Sequence, residues 1–298
     1  MTTTRIAVVA NTKKTFGGGL SELRATLAEA GYPDPLWYET PKSAKTSKLV
    51  RRAIEEGAEL IFVWGGDGTV QRCVDAAAGK SVTLAILPAG TANLLAGNLQ
   101  IPDDLRGAVE VGLNGDRRRL DVGVLNGERF AVMAGVGYDA IMMRDADGDL
   151  KRRFGRVAYV WTGLRATQMS PRKMRIDIDG ERWFKGNATC VLFGKMGTLS
   201  GGVEVFPDAQ PDNGMLEVGV VTAENAFQWV RVLSRVVLDD TKHSPLTQMT
   251  RARKARITLT QPTRYELDGG VRKATTKFRI RVEPSAITVC VPKDLEHE

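Results

Sequence analysis

The stretch "ELIFVWGGDGTVQRCVDAAAG", residues 59–79, decides the fold. Its first part, "ELIFVW" (59–64), reads as a buried strand, and the chain then has to turn into a helix. At that corner stand Gly65, Gly66, Asp67, Gly68 and Thr69. Glycine lacks the Cβ that keeps backbone amides away from a ligand. A run of such amides at a helix N-terminus is a ready anion site. Asp67 is the odd member, because a carboxylate beside a phosphate is repulsive. It makes sense if a Mg²⁺ ion lies between them, directly or through water. The loop is not a Walker loop, since GxxxxGK[ST] is absent.

The same alternation continues on both sides of the corner. "RIAVVA" (5–10) is a short apolar run, followed by Gly17–Gly19 and the helix-like "LSELRATLAEAG". "PLWYET" reads as a strand, "SAKTSKLVRRAIEEGA" as an amphipathic helix ending at Gly57, and "VTLAILP" (82–88) as another strand. Strands alternating with helices predict a parallel sheet with helices on its faces. Ligands in such folds sit beyond the carboxyl ends of the strands. Both the 65–69 loop and "PAGTAN" (88–93) fall at such ends. In the second loop Gly90 lets the backbone come close, while Thr91 and Asn93 offer side-chain hydrogen bonds.

The character changes near residue 117. "RRRLDVGVLNGERFAVMAGVG" reads as two strands joined at Asn126-Gly127, and "MRIDIDGERWFKGNATCVLFG" repeats the pattern at Asp179-Gly180. "ARITLTQ", "TRYELDGG", "KFRIRVEP" and "AITVCVP" read as four short strands, with helical stretches expected at 151–168 and 223–239. The predicted fold is therefore α/β plus mainly β. An N-terminal parallel-sheet domain (1–118) precedes a C-terminal antiparallel β-sandwich domain (119–298) whose last residues return to the first, with the active site expected in the cleft.

Composition narrows the field. The 298 residues are 43% hydrophobic and 26% charged, as in ordinary globular chains. Cys73, Cys190 and Cys290 are far apart, so three reduced thiols are expected rather than a disulfide framework. With only His243 and His297, histidine-rich metal sites and a Ser-His-Asp triad are disfavoured. The net charge is +7 and the pI about 9.4, which suits anionic partners. Aromatic residues make up 6% and no RNA-recognition motif occurs, so nucleic acid is not an expected partner. "MTTTRIAVVANTKK" lacks the long apolar stretch of a secretory signal, and the expected location is the cytoplasm.

"GGDGT" followed by "PAGTAN" resembles the diacylglycerol kinase catalytic domain family, which includes bacterial lipid kinases and sphingosine kinases. "LDVGVLNGERFAVMAGVGYDA" (120–140), "KRRFGRVAYVWTGLRA" (151–166), "PDNGMLEVGVV" (211–221) and "YELDGG" (265–270) fit the lipid-kinase branch. The resemblance implies ATP as donor, Mg²⁺, and a diacylglycerol-like or sphingoid lipid acceptor met at the inner membrane face by peripheral contact. It implies nucleotide contacts at Asn11, Thr12, Lys13, Lys14 and Thr15, at Thr40, through Gly65, Gly66, Asp67, Gly68 and Thr69, and at Thr91. It further implies a metal network of Asp67 and Asp121, a structural metal at Asp212, and Asp268 as general base taking the proton of the lipid hydroxyl. Some members dimerise, so the resemblance admits a homodimer as a partner arrangement, although no apolar stripe in this sequence argues for one.

Three departures accompany the resemblance. Gly270 stands where the family's Asp-Gly-Glu ends in Glu, Leu94 where an acid often follows the second loop, and Asn213 in place of the second Asp of Asp-Asp-Gly. They keep two other readings in view, an NAD-kinase-like phosphotransferase and a non-catalytic nucleotide- or lipid-binding regulator. "GVGYDA" (135–140) fits a dinucleotide fingerprint but lies in the antiparallel half, and "DADGDL" (145–150) lacks the remaining ligands of a calcium loop. The basic stretches 151–166 and "RARKAR" (251–256) are candidate membrane-facing patches.

Overall fold

Ile6–Asn11 and Leu60–Gly65 are buried at every position. Strands this uniformly buried have no water-facing side, and that fits a parallel sheet covered on both faces. The computed structural model describes residues 4–137, 170–199, 203–237 and 244–293. Contacts divide the chain into one unit of 1–120 with 285–298 and a second of 121–284.

In the first unit, β1 (Ile6–Asn11) lies between β2 (Leu36–Thr40) and β3 (Leu60–Gly65), and β3 pairs with β4 (Thr83–Pro88), all parallel. The chain's last strand, β16 (Gly270–Val291), adds Thr288 and Val289 beside β4, again parallel. Helices α1 (Leu20–Glu29), α2 (Thr46–Glu55), α3 (Asp67–Ala77), α4 (Leu94–Asn98) and α5 (Leu105–Asn114) connect these strands. The sequence places a helix mouth at Thr91 and Asn93, where α4 begins, but does not single out α5. Gly112 of α5 is needed for its packing, since a Cβ there would lie 2.3 Å from the Phe62 ring.

The second unit is antiparallel. Strands run β14 (Thr247–Ala252), β13 (Leu216–Val221), β10 (Cys190–Gly194), β7 (Met133–Val136) and β15 (Lys254–Leu267), and β15 continues to β16 and to the β8–β9 hairpin (Arg172–Ile178, Glu181–Ala188). β5 (Asp116–Leu125) pairs with β6 (Glu128–Phe130), and the two-residue strands β11 (Thr198–Leu199) and β12 (Val203–Glu204) pair with each other. Phe130, Phe193, Tyr265 and Phe278 anchor the core. The four short strands expected after residue 254 are in fact two long ones. β15 runs through Pro262 with its register shifting between Thr258 and Thr263, and β16 runs through Pro284 to Val291. Proline reads as a breaker in sequence, but a register irregularity lets a strand carry it without losing a ladder bond.

Three hairpin turns share one geometry. Asn126-Gly127, Asp179-Gly180 and Asp268-Gly269 all have positive φ at both positions (50/94°, 50/104° and 44/78°). These are type I′ turns, where Asn or Asp followed by Gly is the favoured pair. Helix α6 (Ala226–Val237) occupies the expected helical stretch; Asn225 Oδ1 caps it by accepting the Gln228 amide (3.0 Å), and Gln228 Oε1 accepts the Glu224 amide (2.6 Å).

Candidate active site

β3 ends at Gly65 because the next residues must turn at once into α3. A Cβ on Gly65 would meet the Thr69 side chain at 2.4 Å, so glycine is what lets that first turn close. Amides of Thr69 and Val70 donate to the Gly66 carbonyl at 2.8 and 3.0 Å. The amide nitrogens of the 66–68 segment therefore begin a helix, the arrangement that favours an anion. Gly68 is exposed, and a Cβ there would meet nothing within 4 Å.

The loop after β4 comes against this corner backbone to backbone. A Cβ on Gly66 would lie 2.9 Å from the Gly90 Cα, and one on Gly90 would lie 2.4 Å from the Gly66 Cα. Asn93 holds the second loop. Its Oδ1 accepts the Gly90 amide (2.8 Å) and its Nδ2 donates to the carbonyls of Pro88 and Gly90 (2.9 and 3.0 Å). Asp67 then fastens the two loops together, for its carboxylate accepts the amides of Asn93 (3.1 Å) and Leu94 (2.5 Å), the first donors of α4. Burial raises the Asp67 carboxyl above its usual range, while the Leu94 amide, its own amide, the Asn93 amide and the charge of Lys14 pull it back down.

The other residues expected to touch nucleotide also gather in the first unit. Asn11, at the end of β1, is buried and donates to Ser43 Oγ (3.0 Å) and Thr69 Oγ1 (3.2 Å). Its Oδ1 accepts the Lys13 amide (3.1 Å), and its carbonyl accepts the Lys14 amide (3.0 Å). Thr12 donates its amide to the buried Thr40, whose hydroxyl accepts from the Lys42 amide (3.2 Å). Thr12, Lys13, Thr15 and Thr91 are exposed, and Lys14 is half-buried beside Gly66. Ser43, which the sequence reading had not selected, completes the Asn11–Thr69 link.

Asp121, Asp212 and Asp268 belong to the second unit. Asp268 is 5% exposed, and its carboxylate accepts the amides of Ala131 (2.8 Å), Val132 (3.0 Å) and Met133 (2.9 Å). Asp121 is buried, and its Oδ2 accepts from the Lys195 ammonium (3.0 Å) and the Gly214 amide (2.7 Å). Asp212 is exposed. Lys195 was missed in the sequence, where a lone lysine after an apolar strand reads as solvated; here its side chain is 0% exposed. Among the described residues no cluster of three His, Cys, Asp or Glu is placed to hold a metal ion.

Gly135 and Val136 of "GVGYDA" lie in antiparallel β7, which is no setting for a dinucleotide fingerprint. In "RARKAR", Arg251 is paired with Glu217 (2.6 Å), and Ala252 and Ala255 are buried. "DADGDL" and the basic stretch 151–166 lie outside the described residues.

Residues 5–125 match the family described as diacylglycerol kinase catalytic domain, and residues 132–291 match the YegS C-terminal NAD kinase beta sandwich-like domain. The chain is 26% identical to a diacylglycerol kinase of Bacillus subtilis (strain 168) over 261 residues, 86% of each chain. It is also 26% identical to one of Staphylococcus aureus (strain Newman) over 289 residues, 96% of this chain and 91% of the other. Its fold is similar to that of a diacylglycerol kinase from Bacillus anthracis str. Sterne (TM-score 0.74, 20% identity, 98% of both chains). A more distant likeness is to an NAD kinase from Archaeoglobus fulgidus solved with ATP (TM-score 0.54, 10% identity, 96% and 93% covered).

Proposed function

The chain belongs to the diacylglycerol kinase catalytic domain family, and from that premise we propose that it transfers the γ-phosphate of ATP to the hydroxyl of a diacylglycerol-like or sphingoid lipid. The observation that carries this reading is the backbone contact of Gly66 with Gly90, fastened by Asp67. The first loop thereby starts α3 with glycines at 66 and 68, no Cβ standing over their amides, as a polyphosphate requires. The second loop spends its Gly90, Asn93 and Leu94 amides on holding the corner in place.

The residues present fit ATP with Mg²⁺. When bound, the pair supplies the phosphoryl group and neutralises charge on it. The amides at 66–68 bind phosphate oxygens, and Lys14 adds a positive charge beside Gly66. Thr91 and the 11–15 loop hold the rest of the nucleotide, while the Asn11–Ser43–Thr69 links keep both loops in register. Asp67 accepts the Leu94, Asn93 and its own amides, and its remaining acceptor positions would face water around a bound metal ion.

Asp268 is proposed to accept the hydrogen of the lipid hydroxyl and so align its oxygen for attack. A loose phosphoryl-transfer transition state asks mainly for such positioning. The three amides on Asp268 are also what most favours a non-catalytic reading, because they suffice to explain its burial. Turnover separates the two readings, and NAD as acceptor separates an NAD-kinase-like activity.

No helix among the described residues is long and apolar enough to cross a membrane. Peripheral contact at the inner face is proposed instead, through α6. Phe227 is 78% exposed and Val230 is 40% exposed, and the exposed Arg231 completes an i, i+3, i+4 set on one helix face. The proposed function is tested by following labelled phosphate from ATP into lipid presented in mixed micelles.

A further inference from the structure

Lys195 directly follows β10, and its amide is fixed to the Val132 carbonyl at 2.9 Å. Its side chain turns wholly inward, and buried lysines are rare unless paired. Nζ has four oxygens around it: Asp121 Oδ2 at 3.0 Å, the Gln210 carbonyl at 3.1 Å, Asn213 Oδ1 at 3.3 Å and the Met215 carbonyl at 2.7 Å. The Asn213 oxygen is placed by its second partner, the Met215 amide at 3.0 Å. Every neighbour accepts, so the three hydrogens of an ammonium suit the cage, whereas a neutral amine would aim its lone pair at an oxygen. Burial lowers the affinity of Lys195 for its proton, and the hydrogen bond and charge of Asp121 oppose that loss.

Asp121 also receives the Gly214 amide and donates its own amide to the Pro211 carbonyl (2.8 Å). The 210–215 loop is thus wrapped around one positive charge, and that charge belongs to the protein. We infer that the Lys195 ammonium is the structural cation of this loop, and that no divalent ion binds there. The separations of 2.7–3.3 Å suit N–H···O bonds. Mg²⁺ asks for about 2.0–2.1 Å in an octahedron, and Ca²⁺ for six or more oxygens at about 2.3–2.6 Å. Charge agrees as well, because Asp121 is the one carboxylate hydrogen-bonded to the ammonium, with Asp212 and Glu217 acting on it only through their charge, while Asn213 supplies an oxygen without adding another charge. The metal role implied for Asp121 and Asp212 therefore does not fit this chain.

The test is thermal unfolding of the nucleotide-free protein in excess EDTA and again with millimolar Mg²⁺ or Ca²⁺. It reads no turnover, so its outcome stands apart from the lipid-kinase reading. The inference expects the same melting temperature in all three solutions. It expects Lys195→Ala to melt on the order of 10 °C lower, the scale for breaking a buried pair, and to recover part of that loss with Ca²⁺ or ethylammonium. Wild type that loses stability in EDTA and regains it with a divalent ion would overturn the inference, as would a folded Lys195→Ala indifferent to every added cation. Should that variant fail to fold, the wild-type comparison in EDTA still decides.

Discussion

Gly66 and Gly90 approach so closely that a Cβ on Gly90 would lie 2.4 Å from the Gly66 Cα. The contact is between backbones, which cannot swing aside as a flexible side chain can. Gly90→Ala is therefore expected to push the two loops apart, lowering both stability and nucleotide affinity. Thermal melts and ATP titration calorimetry on one preparation check this; unchanged affinity in a folded variant would contradict it.

Gly68→Ala separates ligand contact from packing. A methyl there meets no protein atom, and alanine in place of glycine favours a helix by about 0.5–1 kcal/mol. Melting temperature should stay level or rise slightly, while ATP affinity falls about tenfold, or 1.4 kcal/mol. A variant that binds ATP like wild type would remove this loop from the nucleotide site.

Asp67→Ala removes the acceptor for the Asn93 and Leu94 amides. Loss of a cap of this kind costs about 1 kcal/mol, a modest change in melting temperature. The proposed role beside the metal predicts a far larger kinetic loss, about a hundredfold or more in kcat. A fall in stability with nearly normal kcat would leave Asp67 as a fastener only.

At Asp268 the balance is reversed. Asp268→Ala leaves three buried amides without their acceptor, each costing about 1–3 kcal/mol, so this variant should be hard to fold. Asp268→Asn keeps an acceptor and the turn. If the carboxylate orients the lipid hydroxyl, this variant should bind ATP normally and lose about 10²–10⁴ in kcat. Nearly full activity in folded Asp268→Asn would assign the residue to the hairpin alone.

Phe227→Glu tests the membrane face. The residue is 78% exposed, so its replacement should leave the melting temperature unchanged. Sedimentation with anionic vesicles should drop several-fold, since apolar area and charge both favour binding. Equal sedimentation would move the contact elsewhere.

Much of this was legible in the sequence because local rules and the fold agree. Leu60–Gly65 is apolar throughout and ends in glycines, so strand, corner and helix follow from composition alone. Asn126-Gly127 and Asp179-Gly180 announce their turns by the only chemistry that accepts two positive φ angles cheaply. Other features depend on partners distant in sequence. Pro262 reads as a strand end because the register shift that accommodates it involves a neighbouring strand. Asp67 holding α4, and Lys195 inside its oxygen cage, are long-range contacts that no local pattern announces. The substitution of Asn213 for an acid was visible, but the charge that makes it sensible lies 18 residues away.

The most direct measurement is phosphate transfer from labelled ATP with Mg²⁺ to diacylglycerol and sphingoid lipids in mixed micelles, with NAD as the soluble control acceptor. Wild type is run beside Asp67→Ala and Asp268→Asn. The account predicts a labelled lipid, no labelled NAD, and loss of the lipid product in both variants. ATP binding with no labelled product across the lipid panel would contradict it and leave a nucleotide-binding protein without turnover.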